Sequence, residues 1–402
     1  MKKVLLICYD IHPLKGGESA VAWNTMMAIS TAYQVTVVTR PNNIPDCLNY
    51  LASSDIKNVS FIGYDLPKFL VYIKRKFPMS VFAYCVLWQY FLPIKHKYLK
   101  DSFDVVHSVN FVSDTIPVFI YKFNAISIWG PISHHEPLPV FLSTRLERLS
   151  SLISLFVRYV VWITFNFKKR NKKFDAILYS NLSVTNRLGL NENGHYFSST
   201  GVSRSATYRS PRIASDINLL YVARFVPVKG WNVVYECIKF ISQSNLDLEV
   251  NFNLVGEGPQ LREFKSRVEG LSIPKNIRIM FHGKLSYPNV LNMYKEADVY
   301  LCPSFEGGGI AVAEALSYSL PVVCFNNYGP GETVGHGYPS RVDYNYNEFD
   351  CYHSFSLEVL RLVKDFEYRS HVSRLSFDVF ATRLSWVVKT KDLLSIYKKF
   401  LR

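Results

Sequence analysis

The sequence predicts an α/β protein of two doubly wound domains facing one another across a cleft, and three observations predict it. The chain has 402 residues, too many for one ordinary core and enough for two domains of roughly 150–200 residues each. Hydrophobic residues make up 49% and charged residues 19%, a balance that buries a core and excludes a disordered or fibrous chain. Short apolar runs alternate with longer helical patterns in both halves, the signature of βαβ units on a parallel sheet.

The first apolar run, Val4–Cys8, reads as a buried strand. It is too short for the core of a signal peptide, runs into Asp10 and lacks a small-residue cleavage site. A helix begins near Gly17–Glu18 and continues through Ala20–Ala32, and further strands fall at Gln34–Thr39, Val105–His107, Ala125–Ile128 and Ala176–Tyr179. Residues 198–212, SSTGVSRSATYRSPR, are nearly free of large apolar side chains and read as a linker. They separate a first domain, residues 1–200, from a second, residues 204–380.

In the second domain the pattern restarts, with strands at Leu219–Val222, Glu249–Val255, Arg278–His282, Val299–Cys302 and Val322–Phe325. Helical segments lie around Val233–Ile241, Gln260–Glu269, Val290–Lys295 and Gly309–Ser317. Residues 386–402 form an amphipathic helix with Val387, Leu393, Leu394, Tyr397 and Leu401 near helical spacing. No apolar stretch reaches the length of about 18 residues that a transmembrane helix needs.

Lys and Arg number 46 against 32 Asp and Glu, a net charge of +14. Residues 1–200 hold 22 of the basic and 12 of the acidic side chains, so the excess is concentrated there and points to an anionic partner. Seven cysteines with no C-x-x-C pair argue against a disulfide framework and a zinc ribbon, and for a reducing, cytoplasmic compartment.

Chemistry concentrates in residues 297–325, ADVYLCPSFEGGGIAVAEALSYSLPVVCF. A strand ends near Cys302, and Gly307, Gly308 and Gly309 open a helix whose first N–H groups and macrodipole make an anion site. Glu306 precedes that helix and Glu314 lies inside it. Each carboxylate accepts two hydrogen bonds at once, which suits the vicinal hydroxyls of a ribose or hexose. Upstream, in LLYVARFVPVKGW, Arg224 and Lys229 follow a buried strand and Gly230 opens the next helix. Two cations at a strand end can neutralise a diphosphate, although alone they read more readily as solvated charges flanking a loop. NFNLVGEGPQL repeats the strand–glycine–helix turn at Gly256 and Gly258, by itself a weak signal.

As an ordered set these segments resemble a retaining glycosyltransferase of the GT-B fold, two Rossmann-like domains, and are most similar to glycosyltransferase family 4. Glu306 and Glu314 match the family's E-x7-E motif; Arg224, Lys229 and Gly230 match its Arg…Lys-Gly loop. Gly256, Gly258 and Pro259 match its G-x-G-P turn, and Gly16 and Gly17 its early glycine pair. The resemblance implies that Arg224 and Lys229 hold the donor's diphosphate and that Glu314 binds the ribose. It implies that Glu306, with the amides of Gly308, Gly309 and Ile310, orients the transferred sugar. Gly16 and Gly17 would let the first loop approach the ligands closely. The final helix would pack back on the first domain. No cofactor and no metal are expected: no Asp-x-Asp occurs in the chain.

One departure concerns an imidazole. Many members carry H-x-H at the end of a central strand, where this chain reads FDVVHSVN, with His107 first and Val109 second. A later loop, IWGPISHHEPLP, has His134 and His135 where one subgroup has glycines. His107, His134 or His135 is thus the candidate catalytic imidazole.

Seven basic residues and no acidic one lie between Leu66 and Lys100 among many aromatics, and Arg158, Lys168, Lys169, Arg170, Lys172 and Lys173 mark a similar stretch. Such segments suit an anionic membrane surface, with Trp88, Tyr90 and Phe91 entering the headgroups; nucleic acid is not the expected partner. The expected function is sugar transfer from a nucleotide-diphosphate sugar to a lipid-linked saccharide acceptor. Its expected place is the inner membrane face, in O-antigen or capsule biosynthesis. The competing readings are a non-catalytic anionic-glycan or nucleic-acid binder and a nucleotide-sugar epimerase, for which no acid–base pair is found.

Overall fold

A computed structural model describes residues 1–77, 80–134, 139, 142, 152–153, 156–157, 159–160, 163–164, 171–344 and 347–401. The described residues within 1–134, 153–203 and 386–401 form one compact α/β unit, and those within 135–152 and 204–385 a second.

The first unit is built on β1 (Lys3–Ile7), β2 (Gln34–Thr39), β3 (Val59–Gly63), β4 (Val105–Ser108), β5 (Ile126–Ile132), β6 (Ala176–Tyr179) and β7 (Gly194–Tyr196). The sheet order is β3-β2-β1-β4-β5-β6-β7 with every pairing parallel. Strand order reverses between β1 and β4, the switch point at which such sheets take ligands. Val4 to Ile7 are fully buried, as a parallel strand covered on both faces requires. Val4 and Leu6 face a layer that includes Trp23 and Met26 of helix Glu18–Ser30 and Leu393 and Tyr397 of helix Trp386–Phe400. Leu5 and Ile7 face Tyr84, Trp88 and Leu92 of helix Val81–Lys95.

Three details differ from the sequence reading. In the final helix Val387 is 67% exposed while Lys389 is buried. Lys389 donates to the Ser198 carbonyl and lies over the Phe197 ring, and burial pushes its ammonium down to about 7. The long lysine stem fills an apolar slot, which periodicity of apolar residues alone does not reveal. Trp88 is not a surface aromatic: it is fully buried, while Tyr90 and Phe91 stay exposed. The segment read as a linker is pinned in its second half to the second unit. Arg212 pairs with Asp216 and Asp298, and Arg209 donates to the carbonyls of Tyr294 and Ala297.

The second unit has β8 (Asp216–Val222), β9 (Glu249–Val255), β10 (Ile277–Gly283), β11 (Val299–Cys302), β12 (Val322–Phe325) and β13 (Arg341–Val342). Their order is β10-β9-β8-β11-β12-β13, again parallel, with the switch between β8 and β11. Among the described residues no helix is long and apolar enough to cross a membrane.

His107 sits on β4 with no solvent exposure. Its Nδ1 accepts from the Tyr397 hydroxyl at 2.7 Å and its Nε2–H donates to the Gly130 carbonyl at 2.6 Å. The ring is a core link between the sheet and the final helix, and it is withdrawn as a catalytic candidate because both nitrogens are spent. Burial lowers its pKa from 6.5 to about 4. The unfolded chain therefore binds more protons between these values, and stability falls as pH drops through that window. His107→Phe orphans two polar partners and should cost about 2–4 kcal/mol at pH 7. That cost should shrink by about 3 kcal/mol toward pH 4, since only the wild type is destabilised by protonating the ring. Urea unfolding of both proteins at pH 7 and pH 4.5 checks this; a cost independent of pH would refute the assignment.

Candidate active site

The motif residues of the second unit meet at the carboxyl edge of its sheet. After β8 the chain turns through Ala223–Val226 and a single 3-10 turn, Pro227–Lys229, into helix Trp231–Ser242. Gly230 joins them at φ +66°, and a Cβ there would lie 2.2 Å from the Pro303 carbonyl oxygen. The loop after β11 therefore presses directly on the Lys229 turn, and Phe305 N–H donates to the Val228 carbonyl at 2.8 Å. This contact brings Lys229 to Glu306: the ammonium donates to Oε2, with side chains 22% and 30% exposed.

On the other side the turn after β9 supports the Arg224 loop. Gly256 has φ +134°, and a Cβ would stand 1.9 Å from the Ala223 carbonyl oxygen. Phe225 N–H donates to the Glu257 carbonyl at 3.0 Å, and Gln260 N–H returns to the Phe225 carbonyl at 3.2 Å. The role of Gly256 is thus to admit this loop. Arg224 itself is exposed at the top of the turn.

Beneath these loops lie side chains that the sequence reading missed. Tyr221 and Tyr300 are buried, and their hydroxyls donate to the carbonyls of Lys229 and Val222 at 3.2 Å each. Asn327 donates to the Ser304 carbonyl at 2.7 Å and accepts from the amides of Gly329 and Gly331. The one signal available was that a tyrosine in a buried strand must place its hydroxyl on a partner.

Helix Ile310–Ser317 begins after Gly308 and Gly309 and carries Glu314 in its second turn. Glu314 accepts from the Tyr287 hydroxyl at 3.0 Å, and burial raises its pKa above the usual carboxylate range. A carboxylate so placed gains from any further hydroxyl donor.

In the first unit Gly16 and Gly17 are exposed between β1 and helix Glu18–Ser30, with Gly17 at φ +66°. His134 lies just past β5, with its side chain 23% exposed. Its Nδ1–H donates to Asp114 at 3.0 Å, and Asp114, almost wholly buried, also pairs with Arg187 at 2.6 Å. A carboxylate on Nδ1 selects the tautomer that leaves a lone pair on Nε2. His135 and the cations Arg158, Lys168, Lys169 and Arg170 lie outside the described residues.

Residues 209–373 match the family described as "Glycosyl transferases group 1". An uncharacterized glycosyltransferase of Methanocaldococcus jannaschii is 25% identical over 237 residues, 58% of this chain and 62% of its own. The Escherichia coli UDP-Gal:alpha-D-GlcNAc-diphosphoundecaprenol alpha-1,3-galactosyltransferase is 30% identical over 109 residues, 27% of each chain. The chain thus spans less than two thirds of the length of these relatives. Staphylococcus aureus TarM, crystallised with fondaparinux, alpha-GlcNAc-glycerol and UDP, aligns over 100% of this chain and 99% of its own, with a TM-score of 0.61 and 12% identity. The fold is that of the GT-B glycosyltransferases. Residues 209–373 resemble the group 1 glycosyl transferases, in agreement with the family 4 resemblance of the motifs.

The glycine contacts are testable. Gly256→Ala should cost about 3 kcal/mol or more, because the added Cβ meets backbone and the φ is unfavourable to L-residues. Gly308→Ala, where nothing lies within 4 Å of the new atom, should leave the melting temperature within about 1 °C. Calorimetric scans of the two variants check the contrast.

Proposed function

We propose that this protein is a retaining, metal-independent hexosyltransferase. It moves a sugar from a nucleotide-diphosphate donor to a lipid-linked saccharide acceptor, in assembly of a bacterial surface polysaccharide such as O-antigen or capsule. The observation that carries the reading is the joining of Lys229 and Glu306, beside exposed Arg224, at the carboxyl edge of a sheet whose next helix bears Glu314. Arg224 and Lys229 take the diphosphate and offset its charge as the glycosidic bond breaks, which lowers the barrier to an oxocarbenium-like state. Lys229 then releases Glu306, which accepts from hydroxyls of the transferred sugar beside the amides of Gly308, Gly309 and Ile310. Glu314 exchanges or shares its Tyr287 bond for the ribose diol. Gly16 and Gly17 keep the first loop thin where ligands pass. His134, its side chain 23% exposed and oriented by Asp114, takes the imidazole role.

The acceptor assignment draws on the Escherichia coli relative, whose name includes a diphosphoundecaprenol-linked sugar. It draws also on helix Lys68–Lys76, which buries no residue and exposes Phe69 at 63% and Tyr72 at 62% beside Lys74, Arg75 and Lys76. Such a surface suits peripheral attachment to an anionic inner membrane face.

Binding of a panel of UDP-, GDP- and TDP-sugars in the presence of EDTA tests the donor site. One nucleotide should bind saturably, and Arg224→Ala should weaken it at least about tenfold, the loss of one charge-assisted contact. Glu306→Gln should lower kcat by about 100-fold or more while changing donor affinity only about threefold. No binding across the panel, or unchanged turnover in Glu306→Gln, would overturn the reading.

A further inference from the structure

We infer that Tyr9, Arg40 and Lys74 form an anion site in the first unit that takes the diphosphate of the acceptor. None of its residues is among the proposed donor residues, of which Arg224, Lys229, Glu306 and Glu314 belong to the second unit. The inference rests on the proposed transfer to a lipid-linked acceptor and names the part of that acceptor the first unit grips.

Three neighbouring strands bring the residues together. Tyr9 and Asp10 follow β1, Arg40 follows β2, and Lys74 lies on helix Lys68–Lys76, the first helix after β3. β3, β2 and β1 are successive in the sheet and parallel, so all three groups stand at its carboxyl edge, where doubly wound sheets hold ligands.

Their bonding is unequal. Arg40 is anchored: Nε donates to the Tyr9 carbonyl at 2.9 Å, Nη2 to Asp10 Oδ1 at 2.6 Å, and the guanidinium lies 4.4 Å from the Tyr9 ring centroid. Asp10 is fully used, because Ser19 donates to its other oxygen. Lys74 is different. It donates to the Tyr9 hydroxyl at 3.1 Å and lies 4.2 Å from the Tyr84 ring centroid, but among the described residues no carboxylate forms an ion pair with it. Asp65, an acid that acts on its charge, is occupied in accepting from the Tyr84 hydroxyl. An ammonium has three donors and one is placed here, on a neutral oxygen.

Two cations are thus gathered around one tyrosine. Desolvation, and then the charge of Arg40, lower the Lys74 pKa. Asp10 meets the Arg40 charge, whereas Lys74 has no ion-paired carboxylate among the described residues, so an anion that joins the ammonium offsets its desolvation and its repulsion from Arg40. A diphosphate fits that need: it carries more charge than one carboxylate and accepts from several donors at once. The source is indicated by the same helix, which turns Lys74 toward Tyr9 while exposing Phe69 and Tyr72. A phosphate attached to an isoprenoid chain meets both demands together, whereas free phosphate uses only the first.

The full-length protein should be titrated with farnesyl diphosphate, inorganic pyrophosphate and phosphatidylglycerol vesicles, in wild type, Lys74→Met and Lys74→Arg. Farnesyl diphosphate should bind at least tenfold more tightly than pyrophosphate. Lys74→Met should weaken it tenfold or more, and Lys74→Arg should restore most of the loss. Nucleotide-sugar binding should be unchanged in Lys74→Met, which separates this site from the donor site; a failed donor panel with intact farnesyl diphosphate binding would count against the transferase reading alone. Equal farnesyl diphosphate affinity in wild type and Lys74→Met overturns the inference. So does pyrophosphate binding as tightly as farnesyl diphosphate, or binding to vesicles without saturable binding of farnesyl diphosphate. Lys74→Ala serves as a second variant if Lys74→Met melts below the assay temperature.

Discussion

Backbone packed directly against backbone is the constraint on which the second unit's site depends. The Ala223 carbonyl rests where a Cβ of residue 256 would be, and the Pro303 carbonyl where a Cβ of residue 230 would be. Side chains at either point would separate the loops after β8, β9 and β11 by a side-chain layer. With glycine there, amide–carbonyl bonds such as Phe225 to Glu257 and Phe305 to Val228 close between loops as they do between strands. Lys229 and Glu306, 77 positions apart in sequence, meet because their backbones are already bonded. The buried hydroxyls of Tyr221 and Tyr300 hold the same loops from below. Charged groups fixed this way need little reorganisation when a ligand's charge develops, which is where electrostatic catalysis gains most.

What could be read from the sequence follows the same physics. Strands buried on both faces, such as Gln34–Thr39, Glu249–Val255 and Val322–Phe325, appear as short apolar runs with definite ends and were found with their observed bounds. β3, β7 and β13 lie toward the sheet margins and carry mostly half-exposed residues, so no run marks them. Helix Val81–Lys95 is apolar around most of its circumference and contains Pro93, which hides its period. Helix Lys68–Lys76 buries nothing, so its aromatics point where a sequence pattern would not place them. The placement of Arg224, Lys229, Glu306 and Glu314 at the sheet's carboxyl edge was legible because spacing along one β–loop–α unit fixes position. Tyr287, Asn327 and Asp114 were not, because each acts on a residue brought near only by the fold.

The histidines show how composition and position diverge. His107 occupies the motif-like place at a strand end, yet the final helix supplies Tyr397 and β5 the Gly130 carbonyl, and the imidazole becomes a neutral core bridge. The His134 ring differs: its partner among the described residues is a carboxylate, itself paired with Arg187. One ring is thereby made inert and the other kept chemically available by their hydrogen-bond partners alone.

The carboxylates of the second unit divide in the same manner. Glu306 is paired with the Lys229 ammonium, so any anion that draws Lys229 away changes its bonding directly. Among the described residues Glu314 has no cation in hydrogen-bond contact; it has Tyr287 and Tyr294, and burial disfavours its charge. A group of that kind repels a nearby diphosphate less than an exposed carboxylate does, yet gains from each hydroxyl that replaces lost water. One loop and one helix turn thus carry two glutamates of different character. One has its charge met by a cation, and the other has it disfavoured by burial and met by a hydroxyl.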